Sequence, residues 1–304
     1  MKLLLLAFGI LFVLTGCRAT EAPEENLPLQ IGLMPTMDSV VIATAYELGL
    51  FEAHGVDVEV IPFSSARDRD AAFQAGALDG ATVDLIAVGL FNEGGFQSRA
   101  TSITTAHFTL VARSEYTDLE SLADATVMIS YHTAIDFIMD QMLAVNDLPN
   151  DHLIREEVGN IPTRFEMVRA GQADAALISE PFATMTAAEG LSIITDTFQI
   201  DFNPLALAFS LEVIEHRADE LRAFYLAYSE AVDFLNENPI EAYLDVIIDL
   251  IGFPEEVIHY IELPTFLIPE IPTDEMVQTA LDWLIEKDLI SADTSIESFI
   301  HQVQ

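Results

Sequence analysis

Hydroxyls, carboxylates and guanidiniums recur at one kind of place in this chain: just past a short apolar run and just before an amphipathic one. Thr36 and Asp38 follow LPLQIGLMP, Ser64, Ser65 and Arg67 follow VDVEVIPF, and Thr82 and Asp84 close ALDGATVD. Ser130, Tyr131, His132 and Thr133 follow ATVMI, Arg164 follows Pro162-Thr163, Glu180 follows ADAALIS, and Phe202-Asn203 precede PLALAFS. Such groups at helix N-termini can hold a small polar solute, because unpaired backbone N–H groups and the helix dipole add to the side-chain donors. They do not amount to a reaction centre. No nucleophile elbow, phosphate-cradling glycine loop or paired-carboxylate signature rises above the acidic background, so no catalytic residue and no cofactor is expected. The seven histidines show no HxxxH or HxH spacing, and no metal site is expected either.

Each candidate also has a plainer role. Asp38, Ser64 and Thr133 could simply cap helices. Arg67 and Arg69, interleaved with Asp68 and Asp70, fit a solvated helix face, and for Arg69 that reading is preferred. Glu180-Pro181 could be a strand-ending turn. Tyr131 differs, since an aromatic at a strand tip is costly to expose unless something stacks on it. An aromatic ligand between Tyr131 and Phe63, Phe182 or Phe202 would account for it, and so would packing elsewhere in the fold.

The elements that must position these residues alternate. A strand run at 27–35 leads to helical spacing at Val40, Ala43, Tyr46 and Leu50, then to the alternating strand VDVEVIPF, the helix RDRDAAFQAG closed by Gly76, and a strand entering a helix at Asp84. The rhythm repeats from Asp118 to Pro181. Strands alternating with helices imply parallel sheets covered on both faces. Extended segments near 105–114 and 201–214 fall where crossovers between two such lobes belong. The division expected is residues 29–110 with 205–304 as one lobe and 111–204 as the other, with a cleft beyond the strands' carboxyl ends. From Ala218 onward the pattern is mostly helical, broken by Pro254, Pro264, Pro269 and Pro272.

Composition adds compartment and charge. The 304 residues carry 12 Lys+Arg against 50 Asp+Glu, a formal charge of −38, and Lys2 and Lys287 are the only lysines. So acidic a surface repels nucleic acid and anionic lipid. The only cysteine, Cys17, ends a stretch with Lys2, an apolar run from Leu3 to Leu14, and Thr15-Gly16. That run is too short to span a bilayer and has the size of a signal-peptide core. Leu14-Thr15-Gly16-Cys17 resembles a bacterial lipobox. The expectation is a signal over residues 1–16, lipidation at Cys17, a polar tether over 17–28, and a globular remainder held outside the cytoplasmic membrane by lipid alone.

VVIATAYELGLFEAHGVDVEV, AAFQAGALDGATVDLIAV, TDLESLADATVMIS, IPTRFEMVRAGQADAALISEPFATMTAAEG and LDWLIEKDLI, in that order, resemble the periplasmic substrate-binding proteins typed by sulfonate, taurine and thiamine-pyrimidine uptake. The likeness runs from Leu29 to Leu289. It implies a type II periplasmic-binding-protein fold and a monomeric capture subunit that hands a small molecule to an ABC permease. The eukaryotic pyrimidine-synthesising relatives carry a cysteine-rich motif, which this chain lacks after Cys17, and an enzyme is disfavoured accordingly. Tyr131-His132 favours a heteroaromatic ligand of the thiamine-pyrimidine kind, while Ser64, Ser65, Arg67 and Arg164 keep an alkanesulfonate or taurine open. A ligand-sensing partner of a membrane receptor would share the same fold and cleft.

Overall fold

The structure, a computed structural model, describes residues 27–105, 107–200, 202–261 and 263–303. The expected signal, lipidation at Cys17 and most of the tether lie outside them. Two five-stranded sheets form. The first takes β1 (Leu29–Leu33), β2 (Val58–Pro62), β3 (Gly80–Asp84), β4 (Ser98–Ile103) and β10 (Leu205–Ser210) in the order β2-β1-β3-β10-β4. The second takes β5 (Phe108–Ala112), β6 (Thr126–Ile129), β7 (Ile154–Glu157), β8 (Ala175–Ser179) and β9 (Ser192–Asp196) in the order β7-β6-β8-β5-β9.

The two orders are the same pattern, and each departs from the all-parallel expectation at one strand. In the first sheet β10 runs antiparallel to β3 and β4, and in the second β5 runs antiparallel to β8 and β9. These are the strands that arrive from the other lobe, so each enters its sheet from the opposite end. β5 pairs wholly within the second sheet, from Phe108 to Ala112. The expected division between 110 and 111 therefore falls inside a strand, since β4 ends at Ile103 and β5 begins at Phe108. An extended run alone does not show where one sheet stops and the next begins.

Helices cover the sheets: α1 (Val40–Glu47), α2 (Leu50–Ala53), α3 (Ala66–Gln74) and α4 (Leu85–Glu93) in the first half, then α5 (Ala134–Val145), α6 (Ile161–Arg169) and α7 (Phe182–Ala188). The C-terminal part adds α8 (Leu211–His216), α9 (Ala218–Glu237), α10 (Glu255–Ile258) and α11 (Asp274–Glu286). Val88 of α4, Phe137 of α5 and Trp283 of α11 belong to one apolar cluster that runs through both lobes. No helix among the described residues is long and apolar enough to cross a membrane.

Candidate functional site

α3 and α4 begin at the carboxyl ends of β2 and β3, and α5 and α6 begin beyond β6 and β7. Their four N-termini surround a cavity of about 50 Å³ between the lobes. One wall carries Thr36, Asp38, Arg69, Thr82 and Asp84, the other Ser130, Thr133 and Arg164, with Phe108 at the crossover. All eight polar residues are buried.

The first wall is acidic. Asp38 accepts from Thr36 Oγ1 and, at 3.5 Å, from Thr104 Oγ1, and burial pushes its carboxyl up despite these bonds and the nearby Arg69. Arg69 donates from Nε and Nη2 to Asp70 Oδ1 at 2.8 and 2.6 Å. Asp84 Oδ1 accepts from Ala87 N at 2.8 Å, capping its own helix, while Oδ2 accepts from Ala134 N at 3.2 Å, the first turn of α5 in the other lobe. Burial pushes Asp84 up to about 6; Arg69 counters this and Asp70 adds to it. Three carboxylates, Asp38, Asp70 and Asp84, thus share one guanidinium.

The second wall is basic. Arg164 is 1% exposed, donates from Nη1 to Val158 O at 2.9 Å, and has no partner at Nε. Burial lowers it to about 10, with Glu157 partly compensating through space. A buried guanidinium bonded only to backbone carbonyls keeps most of its desolvation cost. Thr133 Oγ1 donates to Ser130 O at 2.8 Å and accepts from Ile135 N at 3.2 Å, capping α5.

The lobes are closed over this cavity. Ser65 bridges Asn160 backbone to backbone, Ile161 N reaches Ser64 O at 3.4 Å, and Arg67 Nη2 meets Glu157 Oε1 at 3.0 Å. Of the residues expected to bind ligand, Thr36, Asp38, Thr82, Asp84, Ser130, Thr133 and Arg164 line the cavity, and the rest of that set stands elsewhere. Ser64, Ser65 and Arg67 are at the closing seam, where the Arg67 side chain is 69% exposed. Tyr131 is 39% exposed and donates its hydroxyl to Arg155 O at 3.0 Å. Its ring neighbours His132 at 6.3 Å and stacks on none of Phe63, Phe182 or Phe202. His132 adopts a left-handed turn (φ 60°) with its backbone N–H on Asp136. Glu180 Oε2 accepts from Thr184 N at 3.0 Å, in the first turn of α7. Phe202 packs on Phe137 at 4.8 Å, and Asn203 ties the two crossings by donating to Thr104 O at 2.6 Å.

Arg69 corrects the solvated-face reading. It is 4% exposed, and together with Phe73, one turn on, it forms the buried face of α3 while Arg67 points away. That i, i+4 pairing with a phenylalanine was the available signal. Met34, Ile135 and Ile161, apolar residues of the cavity wall, carried no chemical signature in the sequence. Among the described residues no group of three or more His, Cys, Asp or Glu side chains could hold a metal ion. The arrangement is built to enclose a small solute between an acidic and a basic wall.

Comparison with known proteins agrees with this architecture. A Brachyspira hyodysenteriae protein, named among ABC transporter periplasmic binding proteins, is 22% identical over 257 residues, covering 77% of this chain and 73% of that protein. The alkanesulfonate-binding protein of Xanthomonas axonopodis pv. citri, solved with MOPS bound, superposes with a TM-score of 0.78 at 13% identity, covering 90% of this chain and 98% of its own. The nitrate-binding protein of Synechocystis PCC 6803 gives 0.73 at 15% identity, covering 89% and 84%. These similarities show a periplasmic-binding-protein fold. The model of the NMT1-like family matches residues 22–248, well over half of the sequence, and the chain belongs to that family.

Proposed function

We propose that the protein is the extracytoplasmic solute-binding subunit of an ABC importer, a monomer anchored by lipid at Cys17, that closes its lobes around a small solute and delivers it to a membrane permease. The observation that carries the ligand class is the opposed polarity of the two walls. Asp38 and Asp84 suit a donor or cationic group, whereas Arg164, with its unpartnered Nε, suits an anionic one. A small zwitterion, such as an aminosulfonate or an amino acid, satisfies both. An aminopyrimidine satisfies the acidic wall and offers Arg164 only a ring nitrogen, and the Tyr131-His132 pair that favoured it lies outside the cavity.

Thermal unfolding against taurine, alkanesulfonates, amino acids, aminopyrimidines and polyamines tests this. A ligand at 100 times its dissociation constant adds about 2.7 kcal/mol to the native state, a rise of several degrees for a chain of this size. A shift with zwitterions that exceeds the shift with purely anionic or purely cationic analogues is expected. A response confined to aminopyrimidines would reverse the ligand assignment. A catalytic product, or no response to any small solute, would reverse the function.

A further inference from the structure

The enclosed cavity is small for a binding site. At about 50 Å³ it has room for a head group, whereas pockets for ordinary ligands run to several hundred Å³. A second chamber of about 360 Å³ shares one lining residue with it, Met34. Its walls include Pro35, Pro62, Phe63, Pro162, Phe182 and Phe253, and no charged side chain lines it, although charged residues make up 20% of the chain. Prolines carry no N–H, so the backbone there offers few donors as well. The walls come from both lobes, with Pro162 and Phe182 facing residues that follow β1 and β2. The chamber is therefore complete only when the lobes are closed.

We infer that this apolar chamber receives a hydrocarbon extension of the solute whose charged head sits between Arg164 and Asp84, and that Met34 is the gate between the two compartments. The inference rests on the solute-binding reading above. Three features argue for that occupant. Met34 lines both spaces, the second is lined by no charged side chain in a strongly acidic protein, and the first has room for little more than a head group. Met34 suits a gate, because its backbone N–H is pinned by Ser39 Oγ at 3.2 Å while its unbranched side chain has three rotatable bonds. A solute with a tail then joins both lobes twice, through its charges and through its hydrocarbon.

The test measures dissociation constants of the full-length protein for two homologous series, straight-chain alkanesulfonates from methane- to hexanesulfonate and straight-chain 2-amino acids from alanine to 2-aminooctanoate. In the series whose head binds, affinity should rise by roughly fourfold per methylene once the chain outgrows the inner cavity. Leu250→Trp, at the chamber's far wall, should leave the shortest member binding as in wild type and abolish the gain for longer ones. Should that variant fail to fold, Leu250→Phe, a smaller enlargement at the same position, makes the same test. Met34→Ala should widen the passage and admit branched tails that wild type rejects. Affinity flat with chain length, or an unchanged length profile in the Leu250 variant, overturns the inference and leaves the solute-binding reading intact. Failure of every head, short or long, overturns both.

Discussion

Two buried charges decide how the site behaves residue by residue. The lowering of Arg164 by burial to about 10 corresponds to a cost on the order of 3 kcal/mol that the empty protein carries. Arg164→Met should therefore leave the melting temperature of the empty protein unchanged or raised, while affinity for anionic heads falls by roughly 10- to 100-fold, the worth of one charge-assisted bond. A parallel loss of stability and binding would make Arg164 a structural residue. Asp84 works in the other direction. Its carboxyl titrates at about 6 in the folded chain against 3.8 when free, so between those values the folded chain holds the proton more tightly, and Asp84 makes stability fall as pH rises through that window. The difference corresponds to about 3 kcal/mol. Asp84→Asn keeps an oxygen to cap α4, loses the acceptor for Ala134 N, and has nothing to titrate. Denaturant unfolding of wild type and variant between pH 4 and 7 should show the wild type losing about that much relative to the variant. Parallel pH profiles would remove Asp84 from this role.

At the scale of elements, α5 connects the cavity to α11 and β7. Its first turn receives Asp84, and its second places Asp140 against α11, where Trp283 Nε1 donates to Oδ2 at 2.8 Å and Lys287 Nζ lies 2.7 Å from the same oxygen. Arg155 of β7 lies 2.6 Å from Oδ1. Burial opposes the charge on Asp140, but Lys287, Arg155 and Trp283 outweigh it and hold the carboxyl below its ordinary range. Asp140→Ala should cost about 1–3 kcal/mol, because Trp283 Nε1 is left without an acceptor while Arg155 keeps Asp136 at 3.0 Å. Lys287→Met, at a half-exposed position, should cost about 1 kcal/mol or less. Trp283 is the only tryptophan, so its emission reports this joint directly. An equal cost for the two variants would contradict the account. How much of this was legible in the sequence follows from what kind of signal each residue leaves. Strand ends that run into helices are local, and they located Asp84, Thr133 and Arg164. The burial of Arg69 depends on which face of α3 turns inward, which RDRD disguises as a solvated pattern. Tyr131 misleads for a similar reason, since a hydroxyl that reaches a carbonyl of the neighbouring strand lets the ring lie along the surface. The proline-walled chamber draws on segments far apart in the chain, and no local pattern announces it.

For the molecule as a whole, closure across the cleft mouth depends on few contacts, and they differ in kind. The Asp84–Ala134 bond is buried and the Ser65–Asn160 bridge half-buried, whereas Arg67–Glu157 joins an exposed guanidinium to a half-buried carboxylate. An ion pair of that kind is worth about 1 kcal/mol or less in double-mutant cycles. The surroundings reduce its effect further, because a chain of net charge −38 gathers a cationic atmosphere. At about 0.15 M salt the Debye length is about 8 Å, and the pair is screened more strongly than the buried groups. A ligand can favour the closed form only by the difference between its affinities for closed and open states. That difference should therefore come from the buried walls and not from the rim. Arg67→Ala should weaken binding by about fivefold or less at low salt and by a factor indistinguishable from one at about 0.5 M salt. The effect of Arg164→Met should persist at both. Calorimetric titration of the two variants at both ionic strengths separates these cases. A salt-resistant loss in Arg67→Ala would move the energetic centre of closure from the enclosed cavity to the seam.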